Sequence, residues 1–163
     1  MNLFEAGDIL EFAIRIEENG ENFYRYAVQI IKGEDTKKMF ARLADEEGRH
    51  RKTFEELYAG LEKKDIPESY DGEYRAYLHD YVDNSIAFSR AALDRILLKV
   101  TDTLSAIDFA MRREMDSILY YSEIKQFVPA AQHPMIDKII EEERRHFSIL
   151  SEIRKKIGVK KSD

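Results

Sequence analysis

Two short stretches decide the fold: Glu46-Glu47-Gly48-Arg49-His50 and Glu142-Glu143-Arg144-Arg145-His146, both reading E-E-x-R-H. In each, a Glu and a His stand three residues apart, one helical turn, and so share a face. Outward from the first motif the same face continues with 3-4 spacing through Phe40, Leu43, Glu47, His50, Phe54, Leu57 and Leu61. Outward from the second it runs Ile136, Ile139, Glu143, His146, Leu150, Ile153 and Ile157. That spacing is the stripe a helix turns toward a bundle interior.

Two more stripes lie upstream of the motifs. Leu10, Ala13, Glu17, Gly20, Tyr24, Ala27 and Ile31 form one, and Ile107, Ala110, Glu114, Ser117, Tyr121, Ile124 and Val128 the other. Every stripe is apolar at both ends and polar in the middle. The spacing also repeats along the chain: Glu17 to Glu114 and Tyr24 to Tyr121 are each 97 residues, Glu47 to Glu143 and His50 to His146 each 96. The chain thus reads as a duplicated helical hairpin, each copy supplying one Glu and one E-x-x-H.

Four carboxylates and two imidazoles in an apolar interior are costly, since an unpaired buried charge costs several kcal/mol and clustered carboxylates repel one another. No Lys or Arg stands at the stripe positions. Two divalent cations would set four positive charges against four negative ones and use the oxygen lone pairs. A single E-x-x-H on a charged helix is an ordinary solvated face. Two of them in register with two further Glu inside apolar stripes point to a dinuclear site at Glu17, Glu47, His50, Glu114, Glu143 and His146.

Composition agrees with an all-α four-helix bundle: 44% hydrophobic and 36% charged residues with 7 Gly and 3 Pro among 163 favour helices in one domain. Breakers and caps predict helices over about 5–32, 35–60, 102–128 and 134–158, with Asp35 capping the second, Thr101 or Thr103 opening the third and Pro134 opening the fourth. His133 reads as a cap. The short connections after the first and third helices make antiparallel pairs. The segment of about 62–100 is a single long crossover between the hairpins, and its Tyr70, Tyr74, Tyr77 and Tyr81 read as a packing or dimer surface. A net charge of −6 advertises no nucleic-acid or anionic-lipid partner. The absence of Cys excludes thiolate metal sites and thiol catalysis within this chain. No apolar run reaches membrane-spanning length and residues 1–20 do not read as a signal peptide, so the expected location is cytoplasmic, without a membrane partner.

The six residues resemble the ligand pattern of ferritin-like di-iron carboxylate proteins, and the rubrerythrin-like branch in particular, over nearly the whole chain. The resemblance implies that Glu47 and Glu143 bridge two iron ions, that Glu17 and Glu114 bind as terminal carboxylates, and that each His caps one metal. Manganese and zinc accept the same donors. Tyr24 and Tyr121 are expected beside the ligands, as hydrogen-bonding phenols of the core. Two departures stand out. This chain has no Cys with which to build the rubredoxin part of a typical rubrerythrin, so a rubredoxin-type protein is the expected external electron donor. Ser117 also stands where rubrerythrins proper carry one more metal-binding Glu.

Gly20, the counterpart of Ser117, is expected to make room in mid-helix, either for a small molecule or for a neighbouring helix. Glu46, Glu142, Arg49 and Arg145 are read as outer partners of the histidines or as surface charges, at least two of them the latter. His79 and His133 are not ligand candidates. The function implied is that of an oxidoreductase acting on peroxide or oxygen, as a homodimer. The alternatives are a ferroxidase or iron-handling protein, and a metal-binding structural bundle without catalysis.

Overall fold

A computed structural model describes residues 6–60, 95, 97–125 and 128–159. Four helices carry the fold: α1 Ala6–Ile30, α2 Glu34–Ala59, α3 Thr103–Ile124 and α4 His133–Val159. Among the described residues there is no strand. The helices form two antiparallel hairpins, α1 with α2 and α3 with α4, packed face to face as a ferritin-like bundle. The crossover tyrosines, His79, and the stripe member Leu61 lie outside the described residues.

The ends of the helices follow local chemistry, in places differently from expectation. Asp35 is not the cap of α2. Gly33 takes that position with φ 100°, a left-handed conformation that carries almost no cost only for glycine. Thr103 opens α3 as expected, and its cap is the residue before it. This is Asp102, which accepts from the Ser105 backbone N–H at 2.8 Å while the Ser105 hydroxyl serves the backbone of the cap. Thr103 itself accepts from the Lys32 backbone N–H at 2.9 Å, tying the start of the second hairpin to the turn of the first. Between α3 and α4 a 3₁₀ turn spans Ala130–Gln132, and α4 begins at His133, one residue before Pro134.

The core has two apolar bodies. One gathers Leu10, Ala13, Ile16, Phe54, Leu57, Tyr120, Tyr121, Ile124 and Ile136. The other gathers Phe23, Tyr24, Ala27, Phe40, Leu43, Ile107, Ala110 and Leu150. Between them, at mid-height, each helix contributes its polar stations, which are as deeply buried as the apolar residues. The packing thus walls off a polar layer from both ends of the bundle.

Candidate metal centre

The structure brings all six sequence-predicted residues together. Glu17, Glu47, His50 and Glu143 form one group, and Glu47, Glu114, Glu143 and His146 a second, with donor atoms inside each group within 4.8 Å of one another. Glu47 and Glu143 belong to both, so the two groups share an edge. Glu17, Glu47, Glu114 and Glu143 are fully buried. The two imidazoles stack at 5.9 Å between centroids.

Helical geometry explains the convergence. Glu47 and His50, like Glu143 and His146, are one turn apart on α2 and α4, and Glu17 and Glu114 face them from α1 and α3. The outward edge of each ring is fixed by the opposite hairpin: His50 Nε2 lies 2.7 Å from Glu142 Oε2, and His146 Nε2 2.6 Å from Glu46 Oε2. An ionised carboxylate can only accept, so Nε2 carries a proton, and Nδ1 faces inward as the ring's ligand atom once a metal displaces any proton it holds. Glu46 and Glu142 are thus partners of the histidines. Arg49, 3.3 Å from Glu46, and Arg145 are exposed surface charges.

The carboxylates are clamped as well. Tyr24 donates to Glu114 Oε1, Tyr121 to Glu17 Oε1, and Arg113 Nη2 to Glu47 Oε2 at 2.9 Å. The buried atoms left without a hydrogen-bond partner include Glu17 Oε2, Glu47 Oε1, Glu114 Oε2, both oxygens of Glu143, and Nδ1 of both histidines. Each of the six residues therefore keeps at least one unsatisfied lone-pair atom in the shared space. Orphans of this kind are rare in proteins, and here they are the hard oxygen and imidazole donors of a dinuclear carboxylate site. The residues fit a pair of divalent ions.

Electrostatics point the same way. Burial, with Glu143 beside it, pushes Glu114 up to about 8. Burial also raises Glu47 well above the carboxylate range. Burial opposes ionisation of Glu143 too, but the nearby Glu114, His146 and His50 outweigh it and hold this group low. His146 is driven up to about 11 by Glu114 and Glu143 against the effect of burial, and His50 is raised by Glu143 and Glu17. Both phenols are raised, by burial first and the carboxylates second, so they remain donors. Protons offset the clustered carboxylates, and metal ions would displace them.

Arg113 lies beside the four inward stripes, none of which contains Lys or Arg. It is buried to 3% exposure and ion-paired with Glu47. The signal was available: Ala106, Ala110, Arg113, Ser117, Tyr120 and Ile124 also follow 3-4 spacing, and all are buried. The room beside Gly20 is filled by this guanidinium. A Cβ on Gly20 would collide with it and with Glu47 Oε2.

Four helices enclosing paired Glu and E-x-x-H half-sites define the class as ferritin-like di-metal carboxylate proteins. The family model described as Rubrerythrin matches residues 8–154, and the chain belongs to the rubrerythrin family. A crystal structure provisionally described as a ferritin-like diiron-carboxylate protein from Thermotoga maritima is similar at 27% identity and TM-score 0.69, over 95% of this chain and 97% of that one. No curated protein matches the sequence. Among the described residues no helix is long and apolar enough to cross a membrane.

Proposed function

We infer that this chain is a di-iron oxidoreductase that reduces hydrogen peroxide, or oxygen, with electrons from a separate protein. The observation that most supports the reading is the set of unpartnered, buried donor atoms, at least one from each of six residues, in one mid-bundle space. Glu17 and His50 would hold one iron, Glu114 and His146 the other, and Glu47 and Glu143 both. When bound, two ferrous ions supply the two electrons that turn hydrogen peroxide and two protons into two waters.

The chain's own residues bind, orient and insulate. Glu46 and Glu142 hold the imidazole protons on Nε2, so that Nδ1 stays a ligand. Tyr24 and Tyr121 each fix one oxygen of a terminal carboxylate and leave the other for metal. The apolar bodies above and below keep bulk water from the layer. Ser117, whose buried hydroxyl has no partner, leaves a smaller and less charged wall than a glutamate would. With no Cys in the chain, a rubredoxin-type partner is the proposed reductant.

The test is anaerobic loading with Fe(II), then rapid mixing against hydrogen peroxide and, separately, oxygen. Oxidation much faster with peroxide supports the peroxidase reading. Faster reaction with oxygen assigns the chain as an oxidase or ferroxidase, and failure to bind iron specifically returns it to a structural bundle.

A further inference from the structure

The pseudo-twofold symmetry of the centre breaks at one place. Ninety-seven residues before Arg113 stands Ile16, fully buried in an apolar body. Among the described residues, only the second hairpin therefore puts an arginine in the polar layer. That cation is lodged by a matching change, because Gly20 leaves out the Cβ that its guanidinium would strike. Arg113 Cζ lies 5.7 Å from the centroid of the Tyr24 ring, near enough for a cation–π contribution. Its Nη2 donates to Glu47 Oε2 at 2.9 Å, while Nε and Nη1 are buried without acceptors.

The consequence is a charge count. Glu17, Glu47, Glu114 and Glu143 bring four negative charges to the layer. Two divalent ions held with neutral imidazoles would cancel them, and Arg113, whose guanidinium does not deprotonate in proteins, adds one positive charge in excess. The outer carboxylates do not remove it. Glu46 and Glu142 are 25% and 20% exposed in their side chains. Arg49 is 3.3 Å from Glu46, and Lys138 and Arg49 both act on Glu142.

The clamp also makes the two shared carboxylates unequal. Both oxygens of Glu143 are free, whereas Glu47 has only Oε1 to offer.

We propose that Arg113 is a resident cation of the centre, which occupies one oxygen of Glu47 and gives the metal-loaded site a net positive charge that a small monoanion balances. This rests on the two-metal reading above and deepens it: the ligand taken by the loaded centre is anionic, of the size of azide or hydroperoxide, rather than a neutral molecule. Arg113 is a positioning residue here, acting through Glu47 and through its field.

Two affinities that move in opposite directions test it. Cobalt(II) serves as the metal, since its visible bands report both loading and the binding of added azide. Removing the cation by Arg113→Gln relieves repulsion, so cobalt binds about tenfold tighter or more, while azide binds the loaded protein about tenfold more weakly. Arg113→Lys keeps the charge and is expected to restore both toward the wild type. Should the Gln variant not fold, Arg113→Met keeps the side-chain stem and carries the same expectation.

A residue that merely props up the bundle would, on removal, weaken cobalt and azide together, and that outcome overturns the proposal, as does unchanged azide affinity. Wild-type protein that takes fewer than two cobalt ions would overturn the two-metal reading itself, a separate result.

Discussion

The Tyr121 hydroxyl donates to Glu17 Oε1 across 104 residues of chain, and Tyr24 makes the mirror contact to Glu114 across 90. Each phenol therefore stitches one hairpin to the other at the height of the polar layer. Removing either hydroxyl leaves a buried carboxylate oxygen with no partner. Tyr121→Phe and Tyr24→Phe are each expected to cost about 1–3 kcal/mol, the range for leaving a buried acceptor unsatisfied. Urea unfolding of the metal-stripped protein measures this, and variants as stable as the wild type would show that the phenols do not carry these contacts.

Gly20 is expected to tolerate no side chain while Arg113 stays in place. An Ala in mid-helix ordinarily gains up to about 1 kcal/mol over Gly, but here its Cβ would displace the guanidinium from Glu47. Gly20→Ala should therefore destabilise by about 1–3 kcal/mol, as overpacking does. In an Arg113→Met background the same change should cost markedly less, because only the Glu47 carboxylate then has to give way. A double-mutant cycle by denaturant titration reads this coupling, and additive effects would argue that the two positions do not share that space.

The pH dependence has a definite sign. Glu114, raised from 4.5 to about 8, and His146, raised from 6.5 to about 11, both hold protons more tightly folded than unfolded. Each contributes stability that is fully present below its unfolded value and is lost as pH rises through its folded one. Glu143, held low, is ionised in both states above about pH 5 and adds no slope there. The metal-stripped protein should therefore lose thermal stability from pH 5.5 to 8.5, by up to about 1.4 kcal/mol per pH unit for each such group. Saturating divalent metal should reverse the trend, because ions displace these protons more readily as pH rises. Melting temperatures across that range with and without metal check it, and a metal-stripped protein that gains stability with pH would contradict the assignment.

The ligand set makes a sharper distinction. Glu143, with both oxygens free and membership of both donor groups, should be indispensable to both ions. Glu143→Ala is expected to abolish loading of the pair. His133, which approaches the Val128 carbonyl at 3.2 Å near the start of α4, should be replaceable by Gln with two ions still bound per chain. Metal analysis after gel filtration separates the two, and equal metal content would refute the assignment of the site.

How much of this was written in the sequence depends on the length scale of the signal. The stripes through Glu47 and His50 and through Glu143 and His146 announced their inward faces, because 3-4 spacing leaves little freedom in where a helical side chain lies. The six converging residues followed from register alone. Helix starts were less legible: Thr103 does open α3, but Gly33 rather than Asp35 caps α2, and α4 starts at His133 rather than Pro134, since the choice among neighbours is settled by how each turn meets the rest of the bundle. Arg113 was hidden for a different reason. It lies one residue from Glu114, at the flank of the stripe, and its burial depends on the Cβ missing from Gly20 on another helix. Such complementarity between distant positions has no local pattern.

The most direct test of the central claim is anomalous scattering at the iron edge from crystals loaded anaerobically with Fe(II). Two peaks roughly 3.5–4 Å apart, enclosed by Glu17, Glu47, His50, Glu114, Glu143 and His146, are the predicted result. A single ion, or iron bound only at surface carboxylates with none in the mid-bundle layer, would contradict it.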